Sequence, residues 1–197
     1  MTDHKHPRTP RDDEPLDVSP ASAAGGDFEV YSDRGISFHH GRGWSVASED
    51  KPGERVVSVT GATSGFWSLM IFLDRPDPED VLETVLASFR DEYDDLDEYD
   101  AEAEICGQPA LARDLGFFCY DLTNTAEIRV FQTDRLTVLV LCQATDDDWD
   151  EVADQLHQMT ATLELDETLL AENSFTVGDF DDLTANDESG DDSADDD

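Results

Sequence analysis

Leu136-Thr137-Val138-Leu139-Val140-Leu141-Cys142 is apolar at nearly every position, and the reading of this stretch decides the fold. A strand that is apolar on both faces needs cover on both, so it belongs in the middle of a sheet with a layer above and a layer below. Downstream, Trp149, Val152, Ala153, Leu156, Met159 and Leu163 recur at helical spacing and form the stripe of a helix that can supply one of those layers. Thr145 and Asp148 mark its start with an acidic first turn. Each large side chain it buries contributes about 1.5–3 kcal/mol, enough for this helix to anchor the domain. Just upstream, Ala126-Glu127-Ile128-Arg129-Val130 alternates as a half-buried strand and leads into the central one.

Further out, the elements follow one another with short turns. Phe28-Glu29-Val30-Tyr31, a turn through Gly35, and Ile36-Ser37-Phe38 predict a hairpin, with a short strand at Trp44-Ser45-Val46. Residues 55–60 and 66–73 read as two more strands. Asp77 and Pro78 then cap and open a helix whose buried stripe is Val81, Leu82, Val85, Leu86 and Phe89. The acid-rich run 91–100 reads as a solvated turn and 100–105 as an edge strand. Residues 110–120 read as a long strand with Leu111, Leu115, Phe117 and Cys119 on one side; Arg113 and Asp114, being adjacent, face opposite ways. Seven to nine strands and two helices, in the order strands, helix, strands, helix, predict an α+β domain: a mainly antiparallel twisted sheet between helices. The domain is expected over residues 28–165. A Pro-, Asp- and Ser-rich leader, 1–27, precedes it and an acidic tail, 166–197, follows, both with the composition of disordered segments.

The 197 residues carry 49 acids against 12 bases, a net charge of -37. The tails do not account for this. Residues 1–27 and 172–197 together hold 17 acids and three bases, which leaves 32 acids and nine bases between them. Lys5 and Lys51 are the two lysines; the other ten bases are arginines. That composition fits a protein working in concentrated brine, where in ~1 M salt the screening length falls to roughly 3 Å and surface repulsion is largely removed. It disfavours nucleic acid as a partner, because phosphate contacts need a basic patch. No run of about 18 apolar residues predicts a membrane span, no apolar stretch follows the N-terminal bases, and a cytoplasmic location is expected.

Several motifs were weighed for chemistry. Val59-Thr60-Gly61-Ala62-Thr63-Ser64-Gly65 looks like the phosphate-binding turn of short-chain dehydrogenases, but Trp67 stands where that family's last glycine admits a pyrophosphate, and residues 69–72 read as strand instead of helix. A loop between strands explains the glycines more simply. The acids from Asp95 onward miss the EF-hand pattern, since Tyr99 holds the fifth position and Asp100 the place of the glycine. Cys106, Cys119 and Cys142, widely spaced in expected strands, read as buried free thiols, and His39-His40 as two rings on opposite sides of an exposed strand end. No catalytic, cofactor-binding or metal-ligating residue is therefore assigned, and no cofactor is expected.

Phe28-x-Val30-Tyr31-x-x-x-Gly35-Ile36-Ser37-Phe38, Gly43-Trp44, the Asp77-Pro78 helix, the meandering strands and the closing helix resemble the PsbP-like fold group. That group contains an extrinsic photosystem II subunit, a yeast nucleotide-release factor that binds the GTPase Ran, and DcrB-type bacterial lipoproteins. The resemblance implies a twisted antiparallel sheet sandwiched between helices, and members that mostly bind other proteins and share no catalytic residues. This chain departs from it in having Gly41-Arg42-Gly43 where many relatives place a proline before the tryptophan, and no lipoprotein leader is expected.

The function expected is thus non-enzymatic protein binding, with Phe175, Val177, Phe180 and Leu183 in the acidic tail as a possible partner motif. The alternative is a small-molecule binder or enzyme with a pocket between sheet and helices, for which Arg113, Asp114, Tyr120, Arg129 and His157 are the polar groups near core elements.

Overall fold

The structure, a computed structural model, describes residues 28–172. The tail motif Phe175, Val177, Phe180 and Leu183 lies outside the described residues. The strands are β1 (Phe28–Asp33), β2 (Ile36–Gly41), β3 (Ser45–Lys51), β4 (Glu54–Thr60), β5 (Phe66–Phe72), β6 (Leu96–Ile105), β7 (Gln108–Cys119), β8 (Leu122–Gln132), β9 (Thr137–Thr145) and β10 (Glu164–Leu165). The helices are α1 (Pro78–Glu92), α2 (Asp146–Ala161) and α3 (Glu167–Glu172).

Seven strands form one sheet in the order β3-β4-β5-β9-β8-β7-β6, every neighbouring pair antiparallel. The doubly apolar β9 is the middle strand of the seven, as its sequence requires. Val138, Val140, Cys142 and Ala144 point to one core, and Leu139 and Leu141 to the other. On the second face lies α1, with Val81, Leu82 and Leu86 on Leu115, Phe117, Ala126, Ile128 and Val130. Asp77 Oδ1 accepts from Glu79 N at 2.8 Å and Pro78 begins the helix, so the expected cap is present.

The first face carries α2 together with a small sheet, β1-β2-β10. Val152, Leu156 and Met159 of α2 meet Trp67, Leu69 and Ile71 of β5 and Phe38 of β2 in one core. Trp67 sits at its centre, its ring 4.7 Å from that of Phe38 and its Nε1 donating to Thr160 Oγ1 at 3.0 Å. The Gly61–Gly65 loop joins β4 to β5, as a strand-to-strand loop should. Its glycines make room for Trp44: a Cβ on Gly61 would lie 3.0 Å from the indole.

Four expectations need correction. The acidic run is a turn only briefly, since β6 begins at Leu96 and pairs with β7 from there to Ile105, which puts the acids on an edge strand. Order does not end at Leu165, because α3 follows and buries Leu170 in the core of α2. Cys106 is exposed at the β6–β7 turn with φ +52°, outside any strand, and its thiol donates to Leu163 O at 3.1 Å. Of the two histidines, His39 is exposed but His40 is buried instead of marking an exposed strand end.

Candidate binding face

On β8 the period of two sends Ala126, Ile128 and Val130 toward α1, and Glu127, Arg129 and Phe131 toward the face that α2 partly covers. On β7 the same alternation puts Arg113, Leu115 and Phe117 on the α1 side and Asp114, Gly116 and Phe118 on the other. This sorts the five polar residues singled out from the sequence. Arg113 goes to the α1 side, where its Nη1 lies 3.1 Å from Asp100 Oδ1. Tyr120 stands at the tip of the β7–β8 hairpin. Asp114, Arg129 and His157 converge.

They converge through Glu127. Arg129 Nη1 is 2.7 Å from Asp114 Oδ1, Arg129 Nη2 is 3.3 Å from Glu127 Oε2, and His157 Nε2 donates to both Glu127 oxygens at 3.0 and 3.1 Å. The result is a ladder alternating acid, base, acid, base. Burial would raise the Glu127 carboxyl, but the hydrogen bond from His157 and the charges of His157 and Arg129 hold it below its usual value. The hydrogen bond to Glu127 in turn lifts His157 above the usual imidazole value. Within this cluster each carboxylate thus lies beside a basic group. Asp114 Oδ1 is buried, and although close to Arg129 it is not in line with any N–H, so its charge contact carries no aligned hydrogen bond.

The thiols are equally quiet. Burial pushes Cys142 up to about 12, and although Cys106 is exposed as a residue, its thiol is partly covered where it meets Leu163 O and is pushed up to about 11, so neither is a thiolate at neutral pH.

Next to the ladder no element among the described residues covers the sheet face. β6 and β7 extend past the cover of α2, and a groove of about 750 Å³ opens there, walled by Tyr99, Phe118 and Thr125 and rimmed by Asp94, Asp95, Asp97 and Asp146. Tyr99 is 57% exposed and Phe118 59%. The hairpin beyond them adds Tyr120, 96% exposed, at its tip, while Leu122, 48% exposed, turns to the α1 side. Sequence reasoning placed Tyr99 and Phe118 in a turn and a strand without seeing that nothing covers them.

The hairpin turn itself is unusual. Four two-residue turns join strands among the described residues: Arg34-Gly35, Pro52-Gly53, Cys106-Gly107 and Tyr120-Asp121. The first three have glycine second, at φ +82°, +78° and +70°. Tyr120 and Asp121 adopt φ +52° and +64° with no glycine to relieve them. Arg34 and Cys106 hold the first position of two of the other turns at φ +46° and +52° as well, so the departure lies at the second position, where aspartate enters the left-handed region more readily than other non-glycine residues; this is the one turn of the four whose tip is aromatic.

A separate cleft of about 370 Å³ lies between α1 and the sheet, lined by Met70, Phe72, Val81, Val85 and Leu139 with Glu54 and Asp80 at its margin.

Fold and site together define a PsbP-like α+β sandwich with an uncovered aromatic edge. No protein-family model and no curated protein matches the chain. Among solved structures it is similar to the cyanobacterial PsbP of Synechocystis, at 15% identity and a TM-score of 0.50, covering 76% of this chain and 99% of that one. It is also similar to LpqN of Mycobacterium tuberculosis, described as involved in cell envelope biogenesis, at 13% identity and a TM-score of 0.43, covering 70% and 90%. A protein of Bacteroides thetaiotaomicron matches at 13% identity and 0.47, covering 72% and 48%. These likenesses concern the fold. No helix among the described residues is long and apolar enough to cross a membrane.

Proposed function

We propose that this chain is a non-enzymatic, protein-binding domain of the cytoplasm of a salt-loving cell, and that it binds through the β7–β8 hairpin and the bare face beside it. One observation carries the reading: Phe118 on the groove face and Tyr120 at the adjoining hairpin tip are both exposed, beside a turn whose second residue is aspartate where its three counterparts have glycine. Backbone strain held at an exposed aromatic tip has no packing to justify it and concentrates at recognition sites. The net charge of -37, with two lysines among 12 bases, supports the saline setting.

The test is affinity capture from the native cytosol at molar salt, using the full chain and a Tyr120→Asp variant. A partner held by the first and lost by the second supports the reading. Capture of the same proteins by both, or of none by either, removes it.

A second reading has its own observation, the apolar cleft under α1. A small apolar molecule bound there would raise the melting temperature in a metabolite screen at high salt, and Val85→Trp would abolish that shift.

A further inference from the structure

Gly116 lies in the interior of β7, a 12-residue strand, opposite Asp97 on β6 and Thr125 on β8. Nothing among the described residues around it requires a glycine. Its φ is not in the left-handed region, and a Cβ built on it would meet one atom, Asp97 Cβ, at 3.9 Å. Valine or threonine would favour the strand more, since an interior glycine weakens a strand by leaving the backbone without a side chain to pack. A strand glycine that neither turns nor makes room for a neighbour in its own fold marks a place where something from outside comes close to the backbone. On the groove side its absent side chain leaves a slot, with Asp114 and Phe118 two residues away on the same strand and Tyr99 diagonally across on β6.

We propose that this slot receives an arginine side chain from an extended segment of the partner protein. The proposal deepens the binding reading above and rests on it. Charge sets the sign of the occupant: the groove is lined by five carboxylates and no base, and Asp97, directly opposite Gly116, stands at the slot. Charge does not set the type of cation, because in ~1 M salt a contact beyond roughly 3 Å is screened and the rest of the surface is acidic too. The aromatic walls set it. A guanidinium is flat, weakly hydrated and stacks on ring faces, whereas an ammonium is compact and strongly hydrated. The bare backbone of Gly116 lets the arginine stem lie flat on the sheet, with its head between the Asp97 carboxylate and a ring.

The measurement is a titration of the full chain, followed by amide NMR at molar salt, with a neutral extended peptide carrying one arginine and with its lysine counterpart. The amides of Tyr99, Gly116, Phe118 and Thr125 are expected to shift with the arginine peptide, and about tenfold more of the lysine peptide should be needed for the same effect. Gly116→Val fills the slot and should weaken arginine binding about tenfold or more while leaving the melting temperature unchanged or higher. Phe118→Ser, at an exposed position, serves as the second variant should valine disturb the strand, and is expected to weaken binding likewise. Equal binding of both peptides, shifts scattered over the acidic surface, or undiminished binding by both variants overturns the proposal. Should any of these occur while partner capture still depends on Tyr120, the binding reading stands and the arginine slot alone falls.

Discussion

One face of the seven-stranded sheet has two halves built by the same rule and treated differently. Over β5 and β9, the side chains Trp67, Leu69, Ile71, Val138 and Val140 are wholly buried under α2 and the small β1-β2-β10 sheet. Over β6 and β7 the same alternation presents Tyr99, Asp114, Gly116 and Phe118 to an open groove. The strands are equally regular and the hydrogen-bond ladders equally complete. The difference lies in where α2 runs, since it packs on β2, β5, β8 and β9. The lesson is that strand formation and burial are separate decisions in this molecule, and that residues made apolar without being covered are the ones available to a partner.

Salt should separate the two halves most strongly. Lowering it from molar to about 0.1 M lengthens the screening distance from roughly 3 to about 10 Å, and the domain is expected to lose its structure. The acid-laden edge strand β6 should surrender its amide protection before β9. Circular dichroism and hydrogen exchange across that range read both, and an unchanged spectrum would contradict the saline adaptation.

Truncation on the two halves gives the next contrast. Trp67→Ala removes a fully buried indole and is expected to cost about 3–5 kcal/mol, whereas Phe118→Ala, on the bare half, should stay within about 0.5 kcal/mol. Denaturant melts measure both. A large loss at Phe118 would show that the bare half is covered in solution, for instance by a second copy.

A smaller effect of opposite sign is expected at the hairpin. Replacing Tyr120-Asp121 by Asn-Gly suits the positive φ of both positions and should stabilise the domain by about 1 kcal/mol while removing an aromatic from the binding face. A rise in melting temperature with loss of partner capture would sharpen the view that strain there serves recognition.

The smallest effect belongs to the ladder beside the groove. His157 is raised by Glu127, so its contribution is complete below the imidazole's ordinary 6.5 and disappears as pH climbs through its higher folded value. Glu127 is lowered, so its contribution is present above its ordinary 4.5 and is lost as pH falls through its folded value. The pair therefore helps most between about 4.5 and 6.5. Since the imidazole is half exposed, solvent screening holds the gain to a few tenths of a kcal/mol. A His157→Gln variant should flatten that part of the melting profile, and a wild-type profile without the bulge would remove the ladder from the stability account.

Much of the architecture was legible along the chain because the signals for it are local. Asp77-Pro78 names a helix start, Gly35 names a turn, and alternation in residues 126–130 names a half-buried strand. The site was legible only in pieces. Asp114, Arg129 and His157 stood out as polar groups near core elements, but Glu127, which joins them, looked like any outward residue of an alternating strand. It meets His157 across 30 positions of sequence, because β8 and α2 pack together. Leu170 was missed for a similar reason: an acidic surrounding masks a single core residue that becomes visible only once α3 lies on the small sheet.

By itself the sequence determined the order of the principal strands and two long helices, the antiparallel sheet and the central place of β9, since a strand apolar on both faces has no stable alternative to burial, whereas β10 and α3 were not legible in it. It also determined the acidity. Only the tertiary structure decided which half of the sheet stays bare, which polar residues meet, and that Gly116 sits on an open face without a conformational reason of its own. Those depend on strand register and on the path of α2 over the sheet, which are settled by contacts between residues far apart in the chain and leave no local mark on it.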